Sequence, residues 1–114
     1  MNVHDLAHNL AQGLRNSPEY QNYQEALGKI RGNQEKEKIL TELRKKQMEV
    51  QALQMMGQEV PPEKIKEIER TSEILNLQPG IREFLAAEYH LGKVLADIQK
   101  IIGEAVELWY PELK

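Results

Sequence analysis

The chain has 114 residues, of which 40% are apolar and only 5% aromatic, with a formal net charge of −3 and no cysteine. That length is one domain's worth, and a core of Leu, Ile, Val, Ala and Met suits packed helices better than a sheet sandwich. Missing cysteine excludes disulfides and thiolate-held zinc or iron–sulfur clusters. The acidic balance disfavours general attraction to nucleic acid or anionic lipid, and no apolar run nears the roughly 20 residues of a membrane span.

Helix-forming Glu, Lys, Gln, Leu and Ala dominate, strand-like alternation is missing, and turn chemistry divides the chain into about five helices. The N-terminal residues Met1 to Asp5 lack the basic and apolar regions of a signal peptide, so a cytoplasmic location is expected. The first helix is predicted from about Val3 to Arg15, with Val3, Leu6, Leu10 and Leu14 on one stripe and Asn16-Ser17-Pro18 ending it. Ser17 caps the second helix, Pro18 takes its first position, and Tyr20, Tyr23, Leu27 and Ile30 form its stripe up to Gly32-Asn33.

The third helix is predicted from about Gln34 to Met56, with Ile39, Leu43, Val50 and Leu53 at heptad-like spacing and Lys46 interrupting the seam. Gly57 has the position of a left-handed C-terminal residue. Pro61-Pro62 then blocks the old helix and starts the fourth, whose stripe is Ile65, Ile68, Ser72 and Leu75 before Gln78-Pro79-Gly80. The fifth is the longest. Phe84, Ala87, Leu91, Val94, Ile98, Ile101, Ala105 and Leu108 recur at steps of three and four, and a second row of Leu95, Ile102 and Trp109 widens the face.

Roughly 30 residues at about 1.5 Å each make the last helix about 45 Å long, whereas a compact domain of this size is only about 34 Å across. The helix outruns its own domain, so part of its face must meet a second copy or another partner. The residues assigned to that interface are Phe84, Leu91, Val94, Leu95, Ile98, Ile101, Ile102, Leu108 and Trp109. A homodimer of helical hairpins is the favoured assembly, since two-fold dimers are the commonest soluble oligomers; a tetramer would also bury the face. The alternative is a folded-back monomer in which the third and fifth helices cover each other.

The segment Met56-Gly57-Gln58-Glu59-Val60-Pro61-Pro62-Glu63-Lys64-Ile65 resembles the YlbF/YmcA/YheA family of small helical bacterial proteins. Phe84-Leu85-Ala86-Ala87-Glu88 with Leu91 and Ala96 to Ile102 is similar to that family's last helix. Asp5-Leu6-Ala7 with Leu10, Leu14 and Ser17-Pro18-Glu19-Tyr20 is similar to its start. The resemblance spans nearly the whole chain and implies an all-helical, cytosolic, oligomeric protein. In the YlbF and YmcA branches it implies adaptors that join a protein partner, assist a membrane-anchored ribonuclease and affect competence, biofilm and sporulation, with cysteines holding iron–sulfur clusters. A chain without cysteine departs from that cluster chemistry and is closer to the YheA branch.

Candidates for chemistry are few. His4 and His8 stand at i and i+4 with Asp5 beside them, a spacing that lets two imidazoles meet one metal ion, but a zinc site needs a third ligand and a shaped pocket. A di-iron bundle needs two Glu-x-x-His motifs, and Asp5-Leu6-Ala7-His8 is a single approximation. His90 lies off the main seam, on a flank or the surface.

Between Arg15 and Lys46 there are eight basic and five acidic residues, densest at Arg44-Lys45-Lys46, a modest patch without interleaved aromatics. Met48, Met55 and Met56, flanked by Gln47 and Gln54, suit a core or dimer contact near a helix end, or an adaptable partner surface. The chain reads as a single all-α domain, an antiparallel helical bundle or hairpin. It is expected to act without cofactor or enzymatic chemistry, through contact with itself or a regulatory protein partner. A metal-dependent hydrolase using the histidine pair and a weak RNA-binding protein are the alternatives, with nucleic-acid binding and membrane insertion both disfavoured.

Overall fold

Local capping chemistry accounts for where the chain turns. The computed structural model describes residues 1–109, which form α1 (Val3–Arg15), α2 (Pro18–Ile30), α3 (Gln34–Met55), α4 (Pro62–Asn76) and α5 (Pro79–Ala105). Side-chain oxygens of Asn2, Ser17 and Asn33 accept the otherwise orphaned amides of Asp5, Tyr20 and Lys36 at the starts of α1, α2 and α3. Proline at the first positions of α2, α4 and α5 supplies helical φ where no intrahelical amide is needed. Helix α3 ends in a Schellman arrangement: Gln58 N–H donates to Leu53 O, Gly57 N–H donates to Gln54 O, and Gly57 takes φ +73°, a backbone region that a Cβ would strain.

Helices α2 and α5 make the most extensive pairing. Lys29 near the end of α2 reaches Glu83 near the start of α5 at 3.5 Å, and the two helices flank one groove from there to Pro18 and Asp97, so they run antiparallel. A second antiparallel pair joins α3 and α4 across the Gly57 turn, with Lys64 3.3 Å from Glu49. The pairs meet at one buried junction: Ala26 and Ile30 from α2, Leu40 and Leu43 from α3, Leu75 from α4, and Ile81, Phe84 and Ala87 from α5. Leu75 and Ile81 are completely enclosed, and the Tyr23 and Phe84 rings pack with centroids 5.5 Å apart. Arg44 of α3 bonds Glu88 of α5 at the edge of this junction.

The remaining helix surface projects beyond the core. The radius of gyration is 18.2 Å, against about 13 Å for a compact domain of this length, and the molecule is a plate of 48 × 44 × 17 Å. No residue of α1 is buried, and among the described elements its main contact is with α2.

The structure sharpens the sequence reading at three points. The last helix ends at Ala105, with Val106 in extended conformation, so Leu108 and Trp109 lie outside the helical face on which the heptad spacing puts them. Gly103 costs about 1 kcal/mol relative to alanine in a helix, and the last turn has no packing to offset it. The principal partner of α5 is α2, where the folded-back alternative put α3. Met48, Met55 and Met56 are exposed, so they fill no core within this chain.

Candidate functional site

The site is the uncovered apolar surface at one end of the plate. Along α5 the side chains of the apolar face pass from enclosed to open. Phe84 is buried; Leu91, Val94 and Ile98 are half-buried; Leu95 is 40%, Ile102 55% and Ile101 68% exposed. The change occurs where α2 runs out, since its first turn at Pro18 and Glu19 lies beside Val94 and Asp97. Beyond Ile98 the described residues of α5 are all exposed. Leu108 and Trp109 follow it, both exposed.

Helix α1 leaves from the same place. Its apolar stripe of Val3, Leu6 and Leu10 is exposed, and only Leu14, next to the corner, is half-buried. The corner itself is held by a cluster of hydrogen bonds. The Ser17 hydroxyl donates to Leu14 O at 2.6 Å and accepts from Tyr20 N–H at 3.2 Å, while the Gln21 amide donates to Arg15 O at 3.1 Å. Two amphipathic surfaces, one on α1 and one on the outer half of α5, therefore begin at the same corner, and each keeps exposed apolar side chains. Exposed apolar area of this extent is a mark of association, because burying it gains roughly 25 cal/mol per Å².

Beside this surface lies an open groove of about 600 Å³ between α2 and α5. Ala26, Ala86, Ala87 and Val94 contribute its apolar lining, and Glu19, Glu25, Lys29, Glu83, Lys93, Asp97 and His90 its polar groups. Lys29 and Glu83 pair across one end. Periodicity along α5 shows the stripe, but a groove is made by two helices at a fixed separation. The signal available in sequence was the run of small residues Ala86 and Ala87 opposite Ala26.

The other candidates are dispersed. His4 and His8 sit on exposed turns of α1, and among the described residues no three His, Asp or Glu side chains converge in a way that could hold a metal ion. His90 is exposed and faces Tyr89 edge-on at 5.7 Å. Arg44 is engaged by Glu88, which takes one charge from the Arg44-Lys45-Lys46 cluster. No helix among the described residues is long and apolar enough to cross a membrane.

Residues 3–107 match the sequence profile of a family described as control of competence regulator ComK, YlbF/YmcA. The chain is 40% identical over 112 residues to a UPF0342 protein of Symbiobacterium thermophilum, covering 98% of this chain and all of that one. It is 38% identical over 112 residues to a UPF0342 protein of Halothermothrix orenii, covering 98% and 95%. Among solved structures, a protein of unknown function (DUF964) from Bacillus stearothermophilus superposes with a TM-score of 0.78 over 90% of both chains at 21% identity. Bacillus subtilis RicA, solved in complex with RicF, superposes with a TM-score of 0.57 over 90% of this chain and 91% of that one at 22% identity. The chain belongs to the YlbF/YmcA family, and its five-helix fold is that of the DUF964 protein.

Proposed function

We propose that this member of the YlbF/YmcA family is a non-enzymatic regulatory adaptor of the cytoplasm, working by protein–protein contact, and that it self-associates through the distal face of α5. The observation that carries this reading is the exposure of Leu95, Ile101 and Ile102 on a helix whose preceding turns are packed. A continuous seam that is buried for half its length and bare for the rest calls for a protein surface on the bare part. The RicA structure supports the adaptor reading, because a protein of the same fold was solved with a protein partner. The family description supports a role in competence control, and the absence of cysteine supports a likeness to the YheA branch rather than to the cluster-bearing relatives.

The test is the combined variant Leu95→Glu, Ile102→Glu, examined by light scattering and by cross-linked affinity capture from native lysate. Wild type is expected to exceed its 13.2 kDa chain mass at about 100 µM, with the variant at chain mass and depleted of wild-type partners. A wild type that stays monomeric, or a variant that keeps both oligomer and partners, overturns the reading.

A further inference from the structure

We infer that α1 is an exchange arm, and that in a dimer of this chain α1 of each copy lies in the α2–α5 groove of the other. This rests on the self-association proposed above and adds which element is exchanged and where it seats.

A helix of 13 residues is marginal in water without tertiary contacts, yet none of the residues of α1 is buried, and its apolar side chains at positions 3, 6, 7, 10, 11 and 14 form one stripe. The sequence has built a helix face that the described residues leave uncovered. Nor can α1 readily fold back to cover it. Only Asn16 and Ser17 separate α1 from α2, and the Ser17 and Gln21 hydrogen bonds on Leu14 and Arg15 hold the corner in a geometry that carries α1 away from its own groove. A short, pinned connection that projects an amphipathic helix is the situation in which an element is exchanged between copies.

The groove fits such a helix. Its floor is made of small side chains, Ala26, Ala86 and Ala87, with Val94 further along, so the ridge of another helix can approach closely. From Glu83 to Asp97 it follows about 20 Å of α5, and α1 is also about 20 Å long. The next helical step after Asp97 is Ile101, 68% exposed, so the apolar floor continues past the end of α2 onto the outer half of α5.

With Lys29 held by Glu83, the remaining rim has Glu19, Glu25 and Asp97 against Lys93, while Asp5 and Arg15 of α1 balance each other, so an acidic rim meets a helix without net charge. Arm and groove lie on the same chain, so a two-fold axis satisfies both copies at once and closes the assembly at a dimer.

The experiment uses the full chain and two kinds of variant, each at an exposed position. The arm variant is Leu6→Glu, Leu10→Glu, and the groove variant is Ala86→Glu. Wild type is expected at twice the 13.2 kDa chain mass by sedimentation at about 100 µM, with each variant at chain mass, at least tenfold weaker in dimerisation and unchanged in helicity. Mixing the two variants leaves one intact arm and one intact groove, so a heterodimer between differently labelled chains is expected at a few hundred micromolar by energy transfer. Its absence overturns the exchange.

Arm variants that remain fully dimeric overturn it too. If at the same time Leu95→Glu, Ile102→Glu abolishes the dimer, the distal α5 contact stands and only the exchange fails. A wild type that is monomeric, with an arm variant of lowered and concentration-independent melting temperature, overturns it in favour of an arm docked on its own chain.

Discussion

The two halves of α5 have the same apolar spacing and opposite surroundings. The first half places Ile81, Phe84 and Ala87 in the junction with α2, α3 and α4, while the second places Leu95, Ile101 and Ile102 in the open. The difference shows that periodicity identifies which face of a helix is to be buried, and that the length of the neighbouring helix decides how much of that face is buried within the same chain. Helix α2 is 13 residues long and α5 is 27, so the overhang is a consequence of unequal partners. In the proposed assembly, a second copy supplies the missing length.

The sharpest way to break this comparison is to truncate one side chain in each half. Phe84→Ala removes a buried ring that packs on Tyr23 and is expected to lower unfolding free energy by about 3–5 kcal/mol. Ile102→Ala, at chain concentrations below a micromolar where the monomer prevails, is expected to change it by less than about 0.5 kcal/mol. Urea titrations measure both. Equal losses would mean that the outer half of α5 is covered within its own chain.

A smaller effect is expected from Gly103→Ala. No atom stands within 4 Å of the added Cβ, so the substitution gains helix propensity without a clash and is expected to stabilise the end of α5 by about 0.5–1 kcal/mol. The measurement is a rise in helicity by circular dichroism, with slower amide exchange from Lys100 to Val106. An unchanged exchange pattern would show that glycine is not what ends the helix there.

The smallest concerns the first half alone. Glu88→Gln removes the charge that meets Arg44, and both side chains are partly exposed, so the expected loss is about 0.2–1 kcal/mol and falls with added salt. Thermal melts at low and high ionic strength test it. A loss of several kcal/mol would make the ion pair, rather than apolar packing, the tie between α3 and α5.

Much of the fold was legible because its signals are local. Ser17, Gly57 and the Pro61-Pro62 pair act through hydrogen bonds and φ angles within a few residues of themselves, so four helices begin and end where these residues require. Leu40 and Ile81 escaped the stripe reading, although both are buried. Leu40 lies one residue from Ile39 on a helix that meets neighbours on two sides, and Ile81 stands in the first turn of α5, ahead of the seam that starts at Phe84. The methionines at the end of α3 fill no core among the described residues, since apolar composition near a helix end does not say whether another helix reaches that far. Of the candidate interface, Leu95, Ile101 and Ile102 were legible as an apolar face, whereas Leu108 and Trp109 were misplaced because nothing packs on the last turn to hold it helical.

The sequence by itself determined the all-α class, the five helices, the turns between them and the excess of apolar surface on α5, because capping, proline, glycine and helical spacing are properties of neighbouring residues. Tertiary structure alone decided that α2 rather than α3 pairs with α5, that α1 stands apart, and that a groove floored by alanine opens between two helices. Those features depend on the relative lengths and crossing of elements distant in the chain, and side-chain spacing within one helix has no information about either.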